Sequence, residues 1–107
     1  MYRIEHYLTD SGKDVFQEWL ETLRDRQAQA RIAVRIGRMS AGNFGDCKPV
    51  GQGVWELRLD MGPGYRVYYA RAGEVLILLL TGGDKRTQQA DIEQAQAYWQ
   101  DYLENQP

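Results

Sequence analysis

Cysteine and histidine are nearly absent from this chain: Cys47 and His6 stand alone among its 107 residues. One thiol closes no internal disulfide, in keeping with a reducing cytoplasm. One thiol and one imidazole fall short of a structural zinc site, so no metal or other cofactor is expected. Cys47 itself reads as a small buried apolar filler rather than a nucleophile. Long apolar runs are missing as well. The longest, Val75 to Leu80, has six residues and is too short to cross a bilayer. The stretch from Met1 to Leu8 lacks the apolar segment of a signal peptide. The expectation is a soluble cytoplasmic protein with no membrane partner. No internal repeat, low-complexity tract or Pro/Ser-rich linker interrupts the chain, and at this length residues 1–107 are expected to form a single domain. Finally, the last 21 residues contain no Lys or Arg.

What is present is ordinary for a folded protein: 43% apolar residues, with three Trp and seven Tyr. Such a chain can bury enough apolar surface to offset its ordering entropy. The formal charge of -2 argues at first against a phosphate-bearing partner, which usually meets a basic protein. The charges are unevenly placed, however. From Arg24 to Arg86 there are eleven basic and six acidic residues, whereas the two flanks together hold two basic and nine acidic ones. A basic middle lies between acidic ends, and local potential rather than the total decides what binds where.

The pattern along the chain defines its elements. Residues 2–8 alternate, with Tyr2, Ile4 and His6 on one face, and read as a strand. Thr9 to Gly12 form a turn, with Asp10 or Ser11 as a helix N-cap. Val15, Phe16, Trp19, Leu20 and Leu23 then recur at helical spacing. A second amphipathic helix carries Ala28, Ile32, Ile36 and Met39 on one face and Arg31, Arg35 and Arg38 on another, ending at Ala41-Gly42-Asn43. A glycine-rich loop runs from Phe44 to Gly53, and three strands follow, Val54–Leu59, Tyr65–Arg71 and Val75–Thr81, joined by hairpin turns. The unbroken apolar run of the last strand marks it as interior and covered on both faces. Thr81 to Arg86 read as a loop in which the Gly82-Gly83 pair lets backbone approach a ligand. Residues 87–104 read as a closing helix with Ile92, Ala95, Trp99 and Leu103 along its apolar stripe. The fold class is α+β, a small antiparallel or mixed sheet with an N-terminal helical hairpin and a C-terminal helix, in the order β-α-α-β-β-β-α. Trp19, Trp55 and Trp99 all fall on core faces.

The hairpin from Val54 to Tyr69 carries the charge that matters. Trp55, Leu57 and Leu59 share one face, and Glu56, Arg58 and Asp60 the other. Matching the apolar face to Tyr65, Val67 and Tyr69 requires paired numbers with an even sum, which leaves two registers. One sets Arg58 directly opposite Arg66; the other sets Asp60 opposite Arg66 and Arg58 opposite Tyr68. In both, the two arginines share a face. Opposed arginines about 5 Å apart repel unless an anion lies between them, and guanidinium forks match phosphate oxygens. Two readings stand side by side: an anion clamp, or a solvated ion-pair lattice in which Glu56 and Asp60 neutralise the arginines. Lys85, with Arg86, follows the last strand and can reach the same place, with Tyr65 or Tyr68 as a stacking or proton-handling phenol. Arg24, Arg26, Arg31, Arg35 and Arg38 concentrate on the helical hairpin, suited either to RNA or an acidic protein surface or simply to solvent.

Three segments together are more specific than any one of them: Lys48-Pro49 through Gly53 to Glu56-Leu57-Arg58; Gly64-Tyr65-Arg66-Val67-Tyr68-Tyr69; and Thr81-Gly82-Gly83-Asp84-Lys85. In these the chain resembles the RelE/ParE toxin superfamily, and more closely its HigB-like addiction module killer branch, over essentially its whole length. The resemblance implies the toxin of a type II toxin–antitoxin system, a cytoplasmic, growth-arresting mRNA interferase. Such an endoribonuclease acts on mRNA in the ribosome without metal or cofactor, through attack of the RNA 2′-hydroxyl on the adjacent phosphate. It also implies a helix-turn-helix antitoxin as partner, with operator DNA met only through that antitoxin. Carried over by motif, Arg66 is the arginine that holds the scissile phosphate, Arg58 a second cation on the neighbouring strand, and Lys85 the basic residue after the last strand, stabilising charge or protonating the leaving group. Lys48, Tyr65, Tyr68, Arg86, Arg31, Arg35 and Arg38 are the residues expected to meet RNA. The sequence departs from the superfamily at two places. Lysines found before the Leu-Arg pair are replaced by Val54 and Glu56, and the C-terminal tyrosine or histidine has no counterpart, Asp91 lying near that position. Tyr65, Tyr68 and Lys48 are then the candidates for a general base. The alternatives are a ParE-like gyrase inhibitor that acts by binding, and a degenerate toxin that retains only antitoxin binding.

Overall fold

The computed structural model describes residues 1–105. The chain runs β1 (Arg3–His6), α1 (Val15–Thr22), α2 (Arg26–Ser40), β2 (Cys47–Pro49), β3 (Trp55–Leu59), β4 (Tyr65–Ala72), β5 (Leu76–Asp84), a 3-10 turn (Lys85–Thr87) and α3 (Gln88–Glu104). The strands form one sheet in the order β1-β5-β4-β3-β2, with β1 parallel to β5 and every other pair antiparallel. The mixed α+β fold is as expected, with two differences. A short strand, β2, lies inside the expected loop, and β5 continues through Thr81, Gly82 and Gly83 to Asp84 where a loop is expected.

The helices start and stop for local reasons. Asp14, not Asp10 or Ser11, caps α1 by accepting from the Gln17 amide at 3.0 Å, and Asp25 caps α2 by accepting from the Gln27 and Ala28 amides. At the other end of α2, Gly42 takes a left-handed φ of 92°. The Gly42 and Asn43 amides then donate to the carbonyls of Met39 and Arg38, both at 2.9 Å, the double closure that a glycine just past a helix permits.

Strand alternation splits the core in two. On one face Leu57, Leu59, Tyr65, Val67, Tyr69, Ile77 and Leu79 meet Phe16 of α1 and Ala28, Ile32 and Met39 of α2. On the other, Val54, Tyr68, Ala70, Leu78 and Leu80 meet Ala95 and Trp99 of α3. Adjacent residues Ile77 to Leu80 are thus buried on opposite sides, which is why β5 reads as unbroken hydrophobe. Leu103, expected on the apolar stripe of α3, is instead 47% exposed. The pairing of β4 with β5 shifts between Tyr68, opposite Thr81, and Tyr69, opposite Leu79, which leaves Leu80 as the extra residue of a bulge.

Candidate functional site

β3 and β4 pair with Leu59 opposite Tyr65, Trp55 opposite Tyr69, and Arg58 directly opposite Arg66. On the other side of β4, Arg66 stands opposite Gly83 and Tyr65 opposite Asp84, which delivers Lys85 to the same end of the sheet. Arg58, Arg66 and Lys85, with Asp46 and Asp60, line one recess of about 230 Å³. The stem of Lys85 lies against Gly64, where a Cβ would come within 2.9 Å of Lys85 Cγ and where φ is 81°. Glycine is therefore required there twice over, by backbone and by neighbour.

Each opposed arginine has its own acid. Arg58 donates through Nε and Nη2 to Asp46 Oδ1, at 3.2 and 2.9 Å. Arg66, only 6% exposed, donates through Nη1 to the Tyr65 carbonyl at 3.0 Å and holds its Nε 3.8 Å from Glu56 Oε1. Glu56 is fully buried; its Oε2 accepts from Tyr68 Oη at 3.1 Å and from Gln88 Nε2 at 2.8 Å. The neutralising pair expected from the sequence was Glu56 and Asp60; in the structure it is Glu56 and Asp46. The lattice is also half buried rather than solvated. Among the described residues Asp60 forms neither an ion pair nor a side-chain hydrogen bond.

The other expected site residues divide. Tyr68 is fully buried, and burial together with the Glu56 charge pushes its phenol far above the ordinary tyrosine range. It donates to Glu56 and presents no ring face for a base. Tyr65 points to the opposite face, where it is buried against Trp19, ring centroids 6.3 Å apart. Lys48 is exposed on β2 across from Glu56 and is not among the residues lining the recess. Arg86 is turned onto Asp84, with Nη2 2.9 Å from Oδ2, and this contact holds the Asp84 carboxyl below its usual range. Arg31, Arg35 and Arg38 line a separate groove of about 460 Å³ together with Val34, Leu59, Asp60 and Met61. Arg35 folds back: its Nη1 donates to the Arg58 carbonyl at 3.3 Å, and its Nη2 is buried without a partner.

The glycine pair serves packing, not a ligand. A Cβ on Gly82 would collide with the Trp19 ring of α1, and one on Gly83 with the Asp91 carboxylate of α3. Burial pushes the Asp91 carboxyl upward, against the hydrogen bond it accepts from Thr87 Oγ1 at 2.5 Å. Asp46 and Gln88 are the site residues that the sequence does not announce. Asp46 faces Arg58 because Cys47 pairs with Leu57 and the Arg58 amide donates to the Asp46 carbonyl at 2.9 Å. Reading residues 46–49 as a strand would have found it by parity.

A helical hairpin on one face of a five-stranded mixed sheet, one helix on the other, and a cationic recess at the β3–β4 turn define a small α+β protein with a RelE-like fold. Residues 18–99 match the family described as "Phage derived protein Gp49-like (DUF891)". The chain is also 52% identical over 80 residues to an uncharacterized protein of Haemophilus influenzae, a match covering 75% of this chain and 81% of that relative. The chain belongs to the Gp49-like family, a toxin–antitoxin-associated family related to the RelE/ParE-type toxins. Among the described residues no helix is long and apolar enough to cross a membrane.

Proposed function

We propose that the protein is the toxin of a type II toxin–antitoxin pair and that it cuts mRNA on the ribosome. The observation that carries this reading is the convergence of Arg58, Arg66 and Lys85 on one small recess. A phosphodiester seated there meets three cations that the fold has already brought to one recess, and these stabilise the charge gathering on the pentacoordinate phosphorus. Arg66 is the most buried of the three, with Nη1 donating to the Tyr65 carbonyl and the Glu56 carboxylate 3.8 Å behind Nε; it holds the scissile phosphate. Arg58 supplies a second cation once the phosphate displaces Asp46. Lys85, exposed and with its stem against Gly64, stabilises or protonates the leaving 5′-oxygen. The reaction is an attack of the 2′-hydroxyl that needs only side-chain chemistry, leaving a cyclic phosphate and a 5′-hydroxyl. We take the branch to be HigB-like, on the three sequence segments that resemble it, with a helix-turn-helix antitoxin as the neutralising partner.

The second reading, a ParE-like inhibitor of gyrase, is favoured by one feature: Asp46 and Glu56 already neutralise the two arginines. Induction of the protein without its antitoxin separates the two. Growth arrest accompanied by cuts in mRNA at the ribosomal A site, mapped by primer extension and lost in Lys85→Ala, supports mRNA cleavage. Arrest with intact mRNA and loss of plasmid supercoiling supports gyrase. No growth effect at all points to a degenerate toxin.

A further inference from the structure

The proposed cleavage needs a group to take the proton of the attacking hydroxyl, and the phenols that the sequence suggests for this are both buried. We propose that Asp60 is that group, an inference that rests on the mRNA-cleavage reading. Three observations converge on it.

The first is elimination among the acids around the recess. Asp46 accepts from two nitrogens of Arg58. Glu56 is fully buried, with Oε2 taken by Tyr68 and Gln88. Asp84 caps the 3-10 turn and binds Arg86, and Asp91 is held by Thr87. Among the described residues Asp60 alone both lines the recess and has no partner. His6 is engaged elsewhere, 2.7 Å from Asp14.

The second is position. Asp60 follows Leu59 at the end of β3, on the same strand parity as Glu56 and Arg58, so its carboxylate stands on the clamp side of the hairpin. The third is that Asp60 lines two cavities at once, the recess with Arg58, Arg66 and Lys85, and the groove with Arg31, Arg35 and Arg38. A single strand whose phosphates follow the groove arginines enters the recess past Asp60. The ribose hydroxyl next to the clamped phosphate then meets this carboxylate.

The step balances within the chain. The Asp60 carboxylate takes the 2′-hydroxyl proton as the 2′-oxygen bonds to phosphorus. The bond from phosphorus to the 5′-oxygen breaks with its electron pair, and the Lys85 ammonium gives that oxygen a proton. Asp60 ends protonated and Lys85 neutral, and exchange with water restores both.

Single-turnover cleavage of mRNA on programmed ribosomes tests this with wild type, Asp60→Asn and Asp60→Glu. Binding is read in parallel on mRNA carrying a 2′-deoxy nucleotide at the cut position. Loss of a general base costs about 10²–10⁴-fold in rate. Asp60→Asn is therefore expected to slow cleavage by at least about 100-fold, with affinity for the deoxy mRNA no weaker than that of wild type. Asp60→Glu, which keeps the carboxylate, is expected to recover part of the rate. Asp60→Asn cleaving at the wild-type rate, or failing only in proportion to weaker binding, overturns the role of Asp60 alone. Wild type that cuts nothing on the ribosome overturns the mRNA reading, and Asp60 with it.

Discussion

Removing the Arg66 guanidinium leaves the Glu56 carboxylate fully buried and without its cation. Breaking one side of a buried pair costs about 3–5 kcal/mol, mostly the penalty of the stranded charge, and small domains have little more than that in hand. Arg66→Ala is therefore expected to lower the urea midpoint sharply, and Glu56→Gln added to it to restore much of the loss, since a glutamine carbonyl still accepts from Tyr68 and Gln88. If Arg66→Ala melts like wild type, the pair is not the support described. It follows that silence of Arg66→Ala in a growth assay speaks to chemistry only if the double variant, once its urea midpoint shows that it folds, is silent too. The opposed arginines were legible because strand parity leaves two registers and both put them on one face. Of their acids, Glu56 was legible and Asp46 was not. Parity set Glu56 and Asp60 on that face, but Asp46 lies just before a three-residue strand, Cys47–Pro49, that has no hydrophobic alternation to announce it. Tyr65 is buried on the apolar face that parity assigns it, whereas the burial of Tyr68 was invisible: a tyrosine reads the same whether its hydroxyl meets water or a buried carboxylate.

At the scale of elements, glycine decides how closely the helices approach the sheet. Gly82 and Gly83 extend β5 by letting the Trp19 ring and the Asp91 carboxylate rest on backbone. Their sequence signal, a glycine pair before a charged turn, is the same as that of a loop near a ligand, so the end of β5 was misread while its interior was plain. Overpacking a core site costs about 1–3 kcal/mol. Gly82→Ala is expected at the upper end, because the ring it meets is held by Phe16 and Tyr65. Gly83→Ala falls lower, because the Asp91 side chain can turn aside. Gly37, inside α2 with nothing within 4 Å of a Cβ, is the contrast: Gly37→Ala is expected to stabilise by about 0.5–1 kcal/mol. Thermal melts of the three variants give the order, and a Gly82→Ala protein as stable as Gly37→Ala removes the packing explanation.

Over the whole molecule the formal charge of -2 conceals a division by location. Seven of the nine acids of the flanking segments lie on β1, α1 and α3, whereas the recess and the α2 groove are lined by Arg31, Arg35, Arg38, Arg58, Arg66 and Lys85. Binding to a polyanion should then weaken as salt rises, by an amount that counts the contacts made. Arg31→Glu with Arg38→Glu is expected to weaken binding to programmed ribosomes and to flatten its dependence on salt, with the melting curve unchanged because both side chains are exposed. An unaltered slope would take the groove out of the RNA path. One pairing also bears on the order in which the protein is made. β1 runs parallel to β5, Arg3 beside Leu76 and His6 beside Leu79, so the earliest strand to leave the ribosome has no partner until nearly the latest has followed. Non-local closure of this kind is slow. The β3–β4 hairpin that opposes Arg58 to Arg66 is local, but Lys85 follows the end of β5, so the three cations come together only once that last strand has joined the sheet.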